Sequence, residues 1–254
     1  MRKLMLVATL CCPLLAVAEA VIEVDSHHFM RLPAQGSVLQ LDRLAVADNG
    51  TLLIPVGVSE LRIDKLYLGR NAQIAVAPSS ESLHLDIVSG EIAAGAQISA
   101  PGAPGTAQRP AIPGRTLVVR LQAVTTEQWL IDARGGRGAA GYAGLDGADG
   151  KAGGCAWGQA SSGYNGQNGT DGQAGAPGGE VRLEVPADFP VERLQTRLEG
   201  GPGGPAGAAG NPGSGGASKG CWIYSTSGAR DGLPGIAGQP GAAGRDGRLD
   251  VVRF

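Results

Sequence analysis

Leu39-Gln40-Leu41-Asp42-Arg43-Leu44 is answered by Leu61-Arg62-Ile63-Asp64-Lys65-Leu66, and again by Leu83-His84-Leu85-Asp86. A second alternating piece follows each copy, at 51–56, 73–76 and 96–100. Alternation of apolar and polar residues buries one face of an extended segment and leaves the other wet, so these pieces are strands. A repeat of about 22 residues is the length of one solenoid coil, in which each copy buries a face that its neighbour leaves exposed. The pattern predicts a short β-solenoid or sandwich over residues 21–99. An ordinary antiparallel meander is the competing arrangement, and both are all-β.

Upstream, Arg2 and Lys3 precede an apolar run from Leu4 to Val17, and Ala18-Glu19-Ala20 offers small residues where a signal peptidase cleaves. Residues 1–20 are therefore predicted to be an export signal. The run is short for a membrane span, and none is expected in the mature chain. Cys11 and Cys12 lie inside the run, but the residues three before them are Ala8 and Thr9 rather than the Leu of a lipoprotein signal. The expected location is extracellular or at the cell surface, with the periplasm as the alternative. These are oxidising compartments, and the two cysteines left after cleavage, Cys155 and Cys221, are expected to pair.

Downstream, residues 100–115 hold Pro101, Pro104, Pro110 and Pro113 and are expected to form a linker. Two strand-like pieces follow, at 116–124 and 128–133. Glycine then occupies 135, 138, 141, 144, 147, 150 and 153, breaks phase at Cys155, and resumes from 163 to 178 at the same spacing. After strand-like pieces at 180–185 and 191–198 the order recurs, with glycine every third residue over 201–216, a break around Cys221, and glycine again over 232–247. Residues 116–254 are thus a duplicated unit of strand, glycine arm, cysteine loop, glycine arm and strand, with arms over 135–178 and 201–247.

The run Gly232-Leu233-Pro234-Gly235-Ile236-Ala237-Gly238-Gln239-Pro240-Gly241 resembles the Gly-X-Y repeats of bacterial collagen-like exported proteins, a likeness that covers roughly a third of the chain. Glycine at every third position suits a left-handed helix of three residues per turn, because it keeps one edge free of side chains. An arm of about 18 residues at roughly 3.1 Å per residue spans only about 55 Å, and each pair of arms is joined by a loop that turns the chain back. The arrangement therefore also resembles the polyglycine-II bundles of springtail antifreeze proteins and phage tip adhesins. What the resemblance implies is an extended-helix bundle of two Gly-X-Y hairpins in polyproline/polyglycine-II geometry, with a monomer favoured over a homotrimer. A collagen-type trimer and a largely disordered tail are the alternatives. In the bundle both phase breaks meet at one end, where a Cys155–Cys221 disulfide contributes about 4 kcal/mol on the chain-entropy model.

Composition narrows the function. With 43 glycines and only 4% aromatics, the chain cannot wrap its whole length around an ordinary apolar core. The formal charge of −2 and the lack of a basic stripe exclude a nucleic-acid partner. His27 and His28 read as solvated residues of a flexible start, and His84 lies in a strand-like repeat. None of them belongs to a nucleophile elbow, HExxH motif or P-loop, so no catalytic residue is expected. Asp146, Asp149, Asp171 and Asp246 match neither the calcium-binding glycine repeat nor an EF-hand and read as solvated, so no metal or cofactor is expected. Asn49-Gly50-Thr51 and Asn168-Gly169-Thr170 fit the glycosylation sequon, which has meaning only in a eukaryotic secretory route.

Trp157, Tyr164, Trp222 and Tyr224 are four of the ten aromatics, and all lie in or beside the cysteine loops. They form either a small core that shields the disulfide or a contact patch for a protein or glycan ligand. The chain is therefore expected to be a non-enzymatic, exported structural or adhesive surface protein that displays a stapled aromatic tip on a glycine-rich stalk. A trimeric matrix spacer and an ice-binding protein are the other readings.

Overall fold

The computed structural model describes residues 20–33, 36–155 and 158–254. Most of the predicted export signal and Trp157 lie outside the described residues. The chain winds in coils, and each full coil gives one strand to each of two sheets. β1 (Val21–Val24) and β2 (Phe29–Arg31) form the first coil, and β3 (Val38–Val46) with β4 (Thr51–Ile54) the second. β5 (Glu60–Leu68) and β6 (Gln73–Val76) form the third, and β7 (Leu83–Ile92) and β8 (Gln97–Ser99) the fourth. β9 (Leu117–Thr126) and β10 (Trp129–Asp132) make the fifth, and β11 (Glu180–Val185) and β12 (Leu194–Arg197) the sixth. β13 (Lys219–Gly220) pairs with β14 (Ser225–Thr226) in a small antiparallel ribbon, and β15 (Arg248–Arg253) ends the chain's regular structure.

The seven-stranded sheet runs β1-β3-β5-β7-β9-β11-β15 and the six-stranded sheet β12-β10-β8-β6-β4-β2. Every neighbouring pair in both is parallel. Columns of inward residues stack through the coils: Val24, Val46, Leu68 and Ile92 are in register and buried. Each such side chain contributes about 1.5–3 kcal/mol by leaving water, and a one-residue slip would turn a whole column outward. The corners between the sheets are turned by residues with positive φ, His27 (62°), Asn49 (58°), Asn71 (54°) and Gly95 (76°). Asparagine tolerates this left-handed conformation better than most residues. His27 is thus a corner residue in this series rather than part of a flexible start.

These sheets correct the fold expected from the sequence. The regular structure is two large parallel sheets that draw strands from both halves of the chain. It is not a short solenoid or sheet followed by a separate extended-helix bundle, nor is it an antiparallel meander. The physical reason is that the later strands carry the same inward columns as the repeats. Leu117, Val119 and Leu121 lie in register with Leu83, Leu85 and Ile87, Val181 and Leu183 continue from Leu117 and Val119, and all of them are buried.

The glycine runs are insertions into this coil, all at one corner. They leave after β8, β10 and β12 and return at β9, β11 and β15. Residues 100–115 are the first and shortest insertion, not a linker between domains, and Arg115 at their end is fully buried. Its guanidinium donates to the backbone carbonyls of Val58 (2.6 Å), Glu81 (2.9 Å) and Ala77 (3.4 Å). Burial pulls this guanidinium below its ordinary range, partly offset by Glu81, yet arginine stays charged in proteins.

Candidate binding tip

The inserted arms are extended segments joined by backbone hydrogen bonds at three-residue spacing. In the fifth coil the outbound arm covers residues 134–153 and the return arm 161–179; in the sixth they cover 198–217 and 228–247. Outbound glycines bond to the next outbound arm: Gly138 donates to Pro202 (2.9 Å), Gly141 to Pro205 (2.9 Å) and Gly144 to Ala208 (2.8 Å). Return-arm glycines do the same, Gly166 to Leu233 (2.9 Å) and Gly169 to Ile236 (2.9 Å). Within each coil the two arms run antiparallel, with Tyr164 donating to Ala148 (2.9 Å) and Gly232 to Gly213 (2.8 Å). The sixth outbound arm also donates to the fifth return arm, from Gly207 to Thr170 (2.9 Å). Each triplet thereby satisfies backbone groups that the close approach of the arms would otherwise leave dry.

A position is glycine where another arm lies over it. A methyl group on Gly204 would meet the Ala139 carbonyl oxygen well inside 3.0 Å, and one on Gly241 would meet that of Gln173. The aspartates among the glycines are hydrogen-bond acceptors rather than merely solvated groups. Asp146 and Asp149 accept from the N–H of Asn211 (2.6 Å) and Ser214 (2.7 Å), Asp171 from Gln239 (2.7 Å), and Asp246 from Gly200 (2.9 Å). Asn165 and Asn168 accept in the same way from Leu233 and Ile236, both at 2.8 Å. No group of three or more His, Cys, Asp or Glu that could hold a metal occurs among the described residues.

At the far end of the arms Cys155 and Cys221 form the expected disulfide, with Cα atoms 5.6 Å apart. It ties the tip of the fifth coil's arms to that of the sixth. β13 and β14 extend to Cys221, whose N–H donates to the Tyr224 carbonyl (2.7 Å), leaving Trp222 and Ile223 as a two-residue hairpin turn. Trp222 is 100% exposed and Ile223 87%. Tyr224, half-exposed, donates its hydroxyl to the carbonyl of Cys155, so it braces the two tips against each other.

Of the aromatics singled out in the sequence, Trp222 and Tyr224 therefore meet at the disulfide, and Trp222 shields nothing. Tyr164 stands on the return arm at the level of Ala148, below the tip. Trp157 falls outside the described residues. Ile223 belongs to the same tip stretch of the sequence but was not among the candidate contact residues, because a lone aliphatic in a loop carries no signal; its place beside Trp222 in a turn does. Tyr142 and Leu145 were also missed, and both are exposed on the outbound arm.

The disulfide is compatible with an oxidising, exported location. No helix among the described residues is long and apolar enough to cross a membrane. Comparisons with protein-family models, with curated proteins and with solved structures find no match.

Proposed function

We propose that the chain is an exported, non-enzymatic surface protein of structural or adhesive type, which presents the Trp222–Tyr224 tip to a protein or glycan ligand. One observation carries this reading: a two-residue turn held by a disulfide exposes Trp222 completely and Ile223 almost completely. Turns of this length select glycine, asparagine and aspartate for their backbone needs. Tryptophan and isoleucine meet no such need and leave a large apolar surface in water. Tryptophan is also enriched in binding hot spots. A loop raised on a rigid support is a natural recognition element.

The test is Trp222→Ala. Because the side chain touches nothing, its removal is expected to shift stability by no more than about 0.5 kcal/mol. Binding of the labelled protein to a panel of immobilised glycans and extracellular matrix proteins is expected to fall at least about tenfold, the equivalent of 1.4 kcal/mol. A variant that binds as the parent does would refute the tip as the contact. A variant that melts well below the parent would give Trp222 a packing role instead.

A further inference from the structure

The arm stack has an uncovered face, and its occupant can be read from the part that is covered. The short insertion of the fourth coil lies on the base of the fifth coil's arms: Gly102 donates to the Arg134 carbonyl (2.8 Å), Gly105 to that of Arg137 (2.7 Å) and Gly114 to that of Pro177 (3.0 Å). This insertion contains Pro101, Pro104, Pro110 and Pro113, and it turns back at the bridge between Thr106 and Arg109. Beyond that turn the acceptor row continues at the same three-residue spacing with the carbonyls of Ala140, Ala143, Asp146 and Asp149. Among the described residues no donor reaches them.

The side chains of this face change where the cover ends. Under the short insertion the row is Gly136 and Ala139; past it come Tyr142 and Leu145, 64% and 66% exposed. Tyr164, 68% exposed, stands on the return arm in the same three-residue row as Gln173, whose amide donates to the Ala107 carbonyl of the short insertion (3.4 Å). In the sixth coil, where arms do lie above, the corresponding rows hold glycine, including Gly207, Gly210 and Gly232. Tyrosine and leucine at these positions exclude another glycine arm stacked backbone to backbone, since a methyl group on Gly136 would already strike the Ala103 carbonyl.

We propose that this uncovered face docks an extended, proline-rich segment of a partner protein in polyproline-II conformation. Such a segment has three residues per turn, so its rings recur in step with the three-residue pitch of Tyr142 and Leu145, about 9 Å. It rests on these side chains instead of donating to the carbonyl row, since proline has no N–H. Its proline rings pack on Tyr142, Leu145 and Tyr164, as polyproline segments do on aromatic-lined grooves. The face continues the one that the chain's own proline-rich insertion already occupies at the base.

The test uses the full chain and a fluorescent Pro-Pro-Gly repeat peptide too short to trimerise, followed by anisotropy. The parent protein is expected to bind it, and Tyr142→Ala/Tyr164→Ala to bind at least about tenfold more weakly. Both side chains are exposed, so the melting temperature stays unchanged. Trp222→Ala is expected to bind the peptide like the parent, which separates this face from the tip. No binding by the parent, or equal binding by the double variant, would overturn the proposal. Loss of glycan binding rather than peptide binding in the double variant would overturn it too and assign the face to a sugar.

Discussion

Gly207→Ala is expected to loosen the arms from one another. Gly207 sits on the sixth outbound arm, donates to Thr170 (2.9 Å) and accepts from Gly238 (3.0 Å). A methyl group there would meet the Tyr142 carbonyl oxygen well inside 3.0 Å, and backbone rather than a flexible side chain is what must move. Overpacking costs about 1–3 kcal/mol, and each hydrogen bond lost adds about 0.5–1.5 kcal/mol. The local stability of the arms should therefore fall by about 3 kcal/mol. Limited tryptic digestion reads this as faster cutting at Lys151 and Arg230. Gly220→Ala and Gly57→Ala are the controls, because nothing lies within 4 Å of a methyl group at either position, and they are expected to digest like the parent. Parent-like digestion of Gly207→Ala would mean that the arms do not approach this closely.

Arg115→Met is the second large effect, and it strikes the coil rather than the arms. The substitution keeps the bulk of the side chain but removes the donors that Val58, Ala77 and Glu81 use. A buried polar group left without a partner costs about 1–3 kcal/mol. Removing the desolvated guanidinium relieves part of that cost, so a net loss of about 3 kcal/mol is expected, visible as a lower thermal midpoint. Arg115→Lys should fall between parent and methionine variant, since a single ammonium lacks the planar fork that reaches three carbonyls. A methionine variant as stable as the parent would show that the carbonyls find other partners.

The sequence made the coil visible where its period is constant and hid it where the period breaks. Successive strands of the first sheet pair at a spacing of 22 residues from Val21 to Arg43 and from Arg43 to Lys65. Insertions at one corner then stretch the spacing, so that Leu117 pairs with Val181 and Glu180 with Arg248. A search at a fixed period slips by two residues at the third copy, where Leu61 pairs with Leu85 rather than Leu83. It stops at the first long insertion, which is why the later strands looked like part of a separate module. The proline count of residues 100–115 masked the glycine pitch of Gly102 and Gly105. The disulfide was legible because only Cys155 and Cys221 remain outside the predicted export signal.

The layering of the arms was also in the sequence, written as pairs of small residues rather than single glycines. Gly200-Gly201, Gly203-Gly204, Ala206-Gly207 and Ala209-Gly210 are small at two positions in three, because the sixth outbound arm packs against three neighbours. The fifth outbound arm needs this only at its base, in Gly135-Gly136. Where its cover ends, Tyr142 and Leu145 take the place of the second glycine. The exposure of Trp222 and Ile223 was not legible, since it depends on β13 and β14 turning the loop away from the disulfide.

The central claim is that the glycine runs are ordered arms, stacked at one corner of a continuous coil by hydrogen bonds that recur at three-residue spacing, and so hold the tip in place. Amide hydrogen exchange of the intact protein, resolved by residue, tests it most directly. The account predicts slow exchange at Gly138, Gly141 and Gly144 and at Gly166, Gly169 and Gly172, with fast exchange at Ala140 and Ala143 between them. Uniformly fast exchange along both runs would contradict it, because arms without this three-residue pattern of protection cannot support the tip.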